Sequence, residues 1–203
     1  MKKVVIASNN AHKVSEIKTA LNFEGWEFYT LRELGIVSEP EEDADTFEGN
    51  ARIKAQAAHA ACGYAALADD SGIVVDALNG APGVFSARYA GEHGSDADNN
   101  TKLLAELEEI PDERRTGRFV CSLVFIDEDG TELVAQGTIE GYIGYELQGD
   151  EGFGYDPLFF PLEFKGEKTL AEVSQDEKNA ISHRGNALRN LKEKLSISGT
   201  DIR

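Results

Sequence analysis

Apolar residues recur along the chain at two different spacings, and their alternation predicts an α/β protein. Short apolar runs over residues 3–7, 26–30 and 118–126 have the length and composition of β-strands. Between these runs, apolar residues three or four positions apart predict helices, as over residues 96–107. The longest predicted helix opens at Thr46 and ends before Gly63, and its buried stripe follows the helical spacing: Phe47, Ala51, Ala55, Ala58 and Cys62.

Two further segments indicate how the predicted fold is completed. Asp129-Gly130 lies between the run 118–126 and a second apolar run over 131–139, which is the pattern of a β-hairpin. A hairpin makes part of the sheet antiparallel, so we expect a mixed sheet. A last helix carries apolar residues up to Leu195. We therefore expect one domain over residues 1–195, followed by a loose tail over 196–203.

The apolar run 65–68 is followed by Asp69-Asp70-Ser71-Gly72 and then by another run over 73–77. Asp, Ser and Gly are common turn formers, so we expect the strand to break here with a tight bend. Neighbouring side chains of an extended backbone point in opposite directions, so one of the two aspartates would face a given cleft. A carboxylate at a strand end can hold a hard cation such as Mg²⁺. A solvated turn is the alternative interpretation.

The charge of the chain limits its partners. The 203 residues include 37 acidic and 20 basic side chains, which gives a formal net charge of −17. Nucleic-acid polymers and anionic membranes bind basic surfaces, so neither is expected as a partner. A small anionic substrate is compatible with this charge where a few cations and a metal ion are concentrated. Cys62 and Cys121 are isolated in apolar surroundings, and we expect both to be reduced core residues of a cytoplasmic protein.

Two polar segments are candidates for binding phosphate or metal. The segment that joins the first strand to its helix ends in a lysine: Ser8, Asn9, Asn10, Ala11, His12 and Lys13. Backbone N–H groups at a helix N-terminus, with a lysine in the first turn, can bind phosphate. A turn capped by Ser or Asn is the equal alternative. The acidic segment 39–45 leads into the helix that opens at Thr46, and this helix returns the chain towards Asp69-Asp70.

The loop 149–157 combines three glycines with two aromatic residues and three acids. Glycine lets the backbone approach a ligand closely, and an exposed Phe153 could stack on a base. Aromatic side chains packed into the core are the alternative. Further along, Ser174 begins a capping-box pattern that places Lys178 in the first turn of a helix. Lys178 lies close in sequence to His183-Arg184, and this concentration of donors favours a site for an anion or a base.

Taken together, four of these stretches resemble one family, the inosine/xanthosine triphosphate pyrophosphatases, which clear deaminated purine nucleotides from the nucleotide pool. The stretches are residues 8–13, 68–72, 152–157 and 182–184, and the resemblance covers residues 3–195. It implies an α/β fold of two lobes, with a central mixed sheet, flanking helices and a substrate cleft between the lobes. It also implies a homodimer and Mg²⁺-dependent hydrolysis of a purine nucleoside triphosphate (ITP, dITP or XTP) to the monophosphate and pyrophosphate.

The resemblance also implies roles for individual residues. Asp70 would be the catalytic carboxylate and would bind Mg²⁺ together with Glu42, with Glu41 as the alternative ligand in the acidic segment. Lys13 would assist catalysis as a fixed positive charge. The phosphates would be held by Ser8, Asn9, Asn10, Ala11, His12 and Lys13. Ser71 would lie beside the substrate, and the nucleoside end would be held by Phe153, Gly154, Tyr155, Asp156, Lys178, His183 and Arg184.

The sequence departs from the family's pattern at two places, and two other functions stay open. The first motif more often begins Thr-Gly-Asn, where this chain has Ser8-Asn9-Asn10, and many members carry glutamate at the position of Gly49. A pyrophosphatase for a modified pyrimidine triphosphate would keep the metal and phosphate residues but change the base loop. A non-catalytic nucleotide-binding module would not need Asp70, but it would keep Phe153, His183 and Arg184.

Overall fold

The computed structural model describes residues 1–21, 23–92 and 94–197. In these residues it has six β-strands, namely β1 (Lys2–Ile6), β2 (Trp26–Thr30), β3 (Ala65–Val75), β4 (Thr116–Ile126), β5 (Glu132–Ile143) and β6 (Phe159–Pro161). The α-helices of the same residues are α1 (Ala11–Ala20), α2 (Phe47–Cys62), α3 (Asp96–Glu106), α4 (Gln175–Ile181) and α5 (His183–Ile197).

The strands form one mixed sheet in the order β2-β1-β3-β4-β5-β6. Strand β1 runs parallel to both β2 and β3, whereas β6 pairs with β5 in the antiparallel direction. The turn between β4 and β5 is closed by hydrogen bonds from the Asp127 N–H to the Thr131 carbonyl, at 2.8 Å, and from the Gly130 N–H to the Asp127 carbonyl, at 3.0 Å. The predicted hairpin and the predicted α/β class with a mixed sheet are both confirmed.

The chain divides into two compact units. Unit 1 comprises Met1–Asp70, Cys121–Gly137 and the segment that begins at Arg184. Unit 2 comprises Ser71–Val120 and Thr138–His183. The chain therefore passes from one unit to the other within β3, within β4, within β5 and at the start of α5.

Helix α2 of unit 1 forms where the sequence predicted it, because both of its ends carry strong local signals. The Thr46 hydroxyl accepts a hydrogen bond from the Gly49 N–H at 3.1 Å, and Gly63 ends the helix in the left-handed conformation, with φ of 70°. Three of its alanines are fully buried in a cluster with apolar residues of β1 and β3: Ala51, Ala55 and Ala58. Small side chains let this helix pack closely on the strands.

Unit 2 has a core of its own, formed by apolar side chains of its strands, of α3 and its C-cap, and of the segments before and after β6: Ile73, Val75, Leu103, Leu107, Phe119, Ile139, Ile143, Tyr155, Leu158, Phe159 and Leu170. Helices α3 and α4 both begin with a capping box, at Ser95 and Ser174 respectively. The second of these confirms the start that the sequence predicted for the helix carrying Lys178.

The predicted break at Asp69-Asp70-Ser71-Gly72 is wrong, because β3 continues without interruption from Ala65 to Val75. Two features of the structure stabilise an extended backbone here. The buried carboxylates of Asp69 and Asp70 are compensated by cations, and Gly72 makes room for Ser86. A Cβ atom at Gly72 would overlap the Ser86 hydroxyl, which accepts a hydrogen bond from the Ile73 N–H at 2.9 Å. The glycine therefore permits a close contact and not a turn.

The C-terminal prediction is partly corrected. Residues 196 and 197, expected in a loose tail, are the last two residues of α5, and the rest of the predicted tail, 198–203, lies outside the described residues. Helix α4 ends at Ser182, immediately before α5 begins at His183. None of the helices in the described part of the chain has the length and apolar character needed to cross a bilayer.

Candidate functional site

Asp69 and Asp70, neighbours on β3, have different partners. The Asp69 carboxylate contacts the Lys13 ammonium at 2.6 Å through Oδ1 and the Arg184 Nε at 3.0 Å through Oδ2. The Asp70 Oδ1 contacts the Lys54 ammonium at 2.8 Å. Both aspartates are buried, with 2% and 8% of their surface exposed. The alternation of side chains along a strand explains this division.

Lys54, on α2, was missed by the sequence analysis, although it contacts two of the predicted residues. Its ammonium lies 3.0 Å from Glu42 Oε2 as well as 2.8 Å from Asp70 Oδ1. The loop that carries Glu42 is held by a hydrogen bond from the Ala44 N–H to the Asn50 side chain at 3.0 Å. A lysine within an alanine-rich helix was the available signal, because a charged residue there has to face a partner or water.

The two aspartates differ in how readily they take up a proton. Burial raises the pKa of Asp70, and the contact with Lys54 only partly opposes this effect. Burial acts in the same direction on Asp69, but the positive charges of Arg184, Lys13 and Lys54 outweigh it and hold the pKa of that carboxyl well below its usual range. Asp69 is therefore fixed as a carboxylate, whereas Asp70 is the more easily protonated of the two.

The surroundings of Asp70 fit a hard cation. Its Oδ2 is buried and has no hydrogen-bond partner among the described residues, and its Oδ1 shares a cation, the Lys54 ammonium, with Glu42. Carboxylate oxygens are the ligands that Mg²⁺ prefers. No group of three or more His, Cys, Asp or Glu side chains able to hold a metal occurs in residues 1–21, 23–92 and 94–197. A cation at Glu42 and Asp70 would therefore need further oxygen ligands from water or from a phosphate.

The structure distinguishes the two adjacent glutamates that were considered as metal ligands. Glu42 is half-buried and contacts Lys54, whereas Glu41 is exposed. Glu42 is thus the better placed of the two to share a cation with Asp70, and its assignment as a metal ligand stays a prediction.

The predicted phosphate segment, residues 8–13, forms the N-terminal turn of α1. The Asn10 side chain caps this helix by accepting hydrogen bonds from the N–H groups of His12 and Lys13, at 3.0 and 3.1 Å. The Asn10 N–H in turn donates to the Ser8 hydroxyl at 3.2 Å. The capped-turn interpretation is therefore correct for the geometry. Asn9, Asn10 and Ala11 are exposed, so this end of the helix is open to a ligand.

In unit 2, Asp156 organises the glycine-rich loop. Its buried Oδ2 contacts the Lys178 ammonium at 2.7 Å and accepts a hydrogen bond from the Phe153 N–H at 2.8 Å. The Lys178 ammonium also lies 4.5 Å from the centre of the Phe153 ring, within the range of a cation–π contact. Phe153, Asp156 and Lys178 are thus brought together as the sequence suggested.

The remaining predicted residues of unit 2 are distributed differently. Tyr155 is a core residue whose hydroxyl donates to the Ser86 carbonyl at 2.8 Å, in agreement with the core alternative for this aromatic. The ring of His183 stacks on Phe119, with 4.8 Å between centres and 12° between planes. Ser71 is half-buried on β3, and Gly154 is held through its N–H, which donates to an Asp96 oxygen at 2.7 Å.

Arg184 belongs to unit 1, although its neighbour in sequence, His183, is the last residue of unit 2. Its guanidinium contacts Asp69 and also Glu16 on α1, at 2.5 Å from Nη1 to Oε2. Only 1% of Arg184 is exposed. The carboxylates of Asp69 and Glu16 compensate the charge of this buried guanidinium. Glu16 was a second residue that the sequence analysis missed.

Comparisons with known proteins bear on this arrangement. Solved structures with the same fold include a HAM1 protein from Coxiella burnetii, with a TM-score of 0.88 and 42% identity over 97% of this chain and 100% of that one. A dITP/XTP pyrophosphatase from Mycobacterium abscessus matches with a TM-score of 0.77 and 44% identity, over 93% of this chain and 98% of that one.

Sequence relatives extend over nearly the whole chain. A dITP/XTP pyrophosphatase of Clostridium perfringens is 51% identical over 96% of this chain and 98% of its own length. One from Exiguobacterium sibiricum is 48% identical over 96% and 97%. The sequence pattern of the Ham1 family matches residues 4–194. The resemblance drawn from four short motifs is thereby confirmed, and the chain belongs to the Ham1 family.

Proposed function

We propose that this protein hydrolyses the triphosphates of deaminated purines, dITP, ITP and XTP, to the monophosphate and pyrophosphate. The observation that carries the proposal is the set of relatives bearing the name dITP/XTP pyrophosphatase, about half identical to this chain over nearly its full length. The candidate residues support it, because one group offers charges suited to a triphosphate and the other offers an aromatic face and donors suited to a base.

The phosphate end is proposed to bind the residues of unit 1. The exposed N-terminal turn of α1 and the Lys13 ammonium provide positive potential for phosphate oxygens. Glu42 and Asp70 would hold Mg²⁺, which, when bound, stabilises negative charge developing on the leaving pyrophosphate. Lys54, in contact with both carboxylates, places a second ammonium beside the same group. Cations fixed in a site with little water contribute several kcal/mol each, in order of magnitude.

Asp70 is proposed to position the attacking water and to accept its proton. Its buried Oδ2 lacks a hydrogen-bond partner among the described residues, so it can accept one from a water molecule. Burial raises the pKa of this carboxyl, and a base with a raised pKa retains a proton better once it has taken it. Asp69, whose pKa is lowered by three cations, is a poor candidate for the same task.

The nucleoside end is proposed to bind the residues of unit 2. Phe153 offers a ring on which a base can stack, and His183 offers an N–H donor. Hypoxanthine and xanthine carry an acceptor oxygen at position 6, where adenine carries an amino donor. A donor left unpaired against adenine can discriminate by about 10⁴-fold. Lys178, held by Asp156, adds a second donor near the ring of Phe153.

The test is pyrophosphate release from ITP, dITP and XTP, with ATP, GTP and modified pyrimidine triphosphates as comparison substrates, with and without Mg²⁺. Metal-dependent release confined to the deaminated purines is the expected result. Preferential release from a pyrimidine compound would contradict the proposed base specificity but would agree with the proposed phosphate chemistry. Binding of ITP without release would contradict catalysis.

We also propose that the protein works as a homodimer, as the family resemblance implies, and that it is located in the cytoplasm, where its two free cysteines would stay reduced. Light scattering of the purified protein at several concentrations would measure the oligomer, and a monomer at every concentration would contradict it.

A further inference from the structure

Helix α3 of unit 2 contacts the glycine-rich loop at Gly154. Asp96, the first residue of α3, accepts a hydrogen bond from the Gly154 N–H through Oδ2 at 2.7 Å. Asn100 donates a hydrogen bond from Nδ2 to the Gly154 carbonyl at 2.9 Å. Residues four positions apart on a helix lie on the same face, so one face of α3 holds both backbone polar groups of Gly154.

These contacts fix the backbone on one side of Phe153, and Asp156 fixes it on the other side. The Gly154 N–H belongs to the peptide group that follows Phe153. The Phe153 N–H, which donates to Asp156 Oδ2 at 2.8 Å, belongs to the peptide group that precedes it. Because a peptide group is planar, holding both of these groups restricts the two dihedral angles between them. Asp96 and Asp156 together therefore set the direction in which the Phe153 side chain leaves the backbone.

The surroundings of Asn100 suit an apolar side chain better than an amide. Only 4% of Asn100 is exposed, and Leu103, one turn further along α3, belongs to the core of unit 2. The Asn100 Oδ1 is buried and has no hydrogen-bond partner among the described residues. A buried polar atom without a partner lowers the free energy of unfolding. The amide at this position is therefore explained by the hydrogen bond from its Nδ2 to the loop, and not by the stability of α3.

We propose that Asp96 and Asn100 are positioning residues, which hold the peptide groups of Gly154 so that the ring of Phe153 stacks on the base of the nucleotide. The proposal rests on the function proposed above, because that function places a base on Phe153. In this scheme neither Asp96 nor Asn100 touches the nucleotide or the attacking water. Both contribute to the affinity for the base, and neither contributes to the hydrolytic step.

The decisive variant is Asn100→Leu, which removes the donor to Gly154 together with the unpartnered oxygen. Stacking on an aromatic ring raises the affinity for a base by about 5- to 150-fold, and a misplaced Phe153 loses part of this gain. We expect KM for ITP to rise by about 5- to 10-fold, with kcat within about twofold of wild type. Calorimetry should show a similar loss of affinity for the product IMP and an unchanged affinity for pyrophosphate, which carries no base.

Two results would overturn the proposal. An equal loss of affinity for IMP and for pyrophosphate would mean that the damage is not confined to the base end. An unchanged KM for ITP, together with a lowered melting temperature, would mean that Asn100 only stabilises the fold. Where Asn100→Leu does not fold, Asp96→Ala removes the exposed acceptor of the Gly154 N–H instead, and the same rise in KM at constant kcat is expected.

A second measurement does not depend on catalysis. Hydrogen exchange of a peptide covering residues 151–157, without nucleotide, should be faster in Asn100→Leu and in Asp96→Ala than in the wild type, because the loop loses a contact with α3. Unchanged exchange in both variants would contradict the positioning role even if the protein proved to hydrolyse a different nucleotide. The matched control is Thr101→Val, since the exposed hydroxyl of Thr101 donates to the Ala97 carbonyl within α3. It should alter neither exchange at residues 151–157 nor KM.

Discussion

The two units hold their candidate residues by different means. In unit 1, charged side chains on β3, α1, α2 and α5 are joined by buried ion pairs, and residues such as Asp69 and Arg184 are 115 positions apart in the chain. In unit 2, one loop is folded around the carboxylate of Asp156, whose partners include a backbone N–H and a lysine. Helices and strands therefore fix the candidate residues of unit 1, whereas a glycine-rich loop fixes those of unit 2.

The difference matches what each group is proposed to bind. A triphosphate and a metal ion are recognised by charge, so rigid strands and helices that keep the charges in place favour the reaction. A base is recognised by a flat face and a few donors, which a tight loop can present. Variants in unit 1 should therefore affect rate most strongly, whereas variants in the loop of unit 2 should affect stability and base selection together.

The largest effect is expected from Asp70→Asn. This variant keeps the side-chain shape but removes the proposed proton acceptor and one carboxylate ligand, so kcat should fall by about 10³- to 10⁴-fold while nucleotide still binds. Pyrophosphate release under saturating ITP measures kcat, and calorimetry measures nucleotide binding. Asp127→Asn is the control in the same unit, since it breaks only the pair with Lys2. Turnover of Asp70→Asn within tenfold of wild type would remove Asp70 from the proposed role.

The next effect is expected from Asp156→Asn. Lys178 would lose its buried counter-charge, and breaking a buried pair from one side costs about 3–5 kcal/mol of unfolding free energy. The Phe153 N–H would also lose part of its acceptor, so discrimination between ITP and ATP should weaken. Urea unfolding and paired kinetics measure the two effects. The control is Asp76→Asn, an exposed partner of Arg118 in the same unit. Equal losses in both variants would show that burial is not what makes Asp156 important.

The parts of this arrangement that the sequence predicted are those with local causes. The bounds of α2 follow from Thr46 and Gly63, and the hairpin follows from Asp129-Gly130. The continuity of β3 could not be predicted, because turn-forming residues are extended there through contacts with Lys13, Lys54 and Ser86 from distant segments. Local propensity was overruled by tertiary contacts.

The candidate residues show the same limit. Motifs named Asp70 and Lys13, but Lys54 and Glu16 belong to no motif that the sequence analysis used. Their importance depends on which strand each helix packs against, and a single sequence does not contain that information in any local pattern. The sequence indicated Arg184 as a candidate residue, but its partners, Asp69 and Glu16, could be identified only from the structure.

Two glycines in the loop of unit 2 have similar backbone conformations, and comparing them separates the effect of backbone conformation on stability from the effect of the space beside Asp156. Gly152 and Gly154 both have positive φ, 75° and 64°. A Cβ atom at Gly152 would overlap Asp156 Oδ2, whereas one at Gly154 would meet no atom within 4 Å. Gly154→Ala should therefore cost about 1 kcal/mol, for conformation alone. Gly152→Ala should cost about 2–3 kcal/mol, because Asp156 must also shift. Urea unfolding of the two variants provides the comparison. Equal costs would mean that Asp156 does not depend on the space at Gly152.

The smallest effect is expected from exposed charges of unit 1, and it tests whether burial distinguishes the proposed ion pairs from ordinary ones. Arg52 lies two positions before Lys54 on α2 and contacts Glu132 at 2.8 Å, with 34% and 30% of the two side chains exposed. Water screens such a pair, so Glu132→Gln should cost about 0.5 kcal/mol, and this cost should vanish in 1 M salt, where the screening length is about 3 Å. Urea unfolding at low and high salt measures it, with kcat/KM expected to stay unchanged. A loss above about 1.5 kcal/mol that persists in high salt would show that exposed pairs stabilise unit 1 as much as its buried charges do.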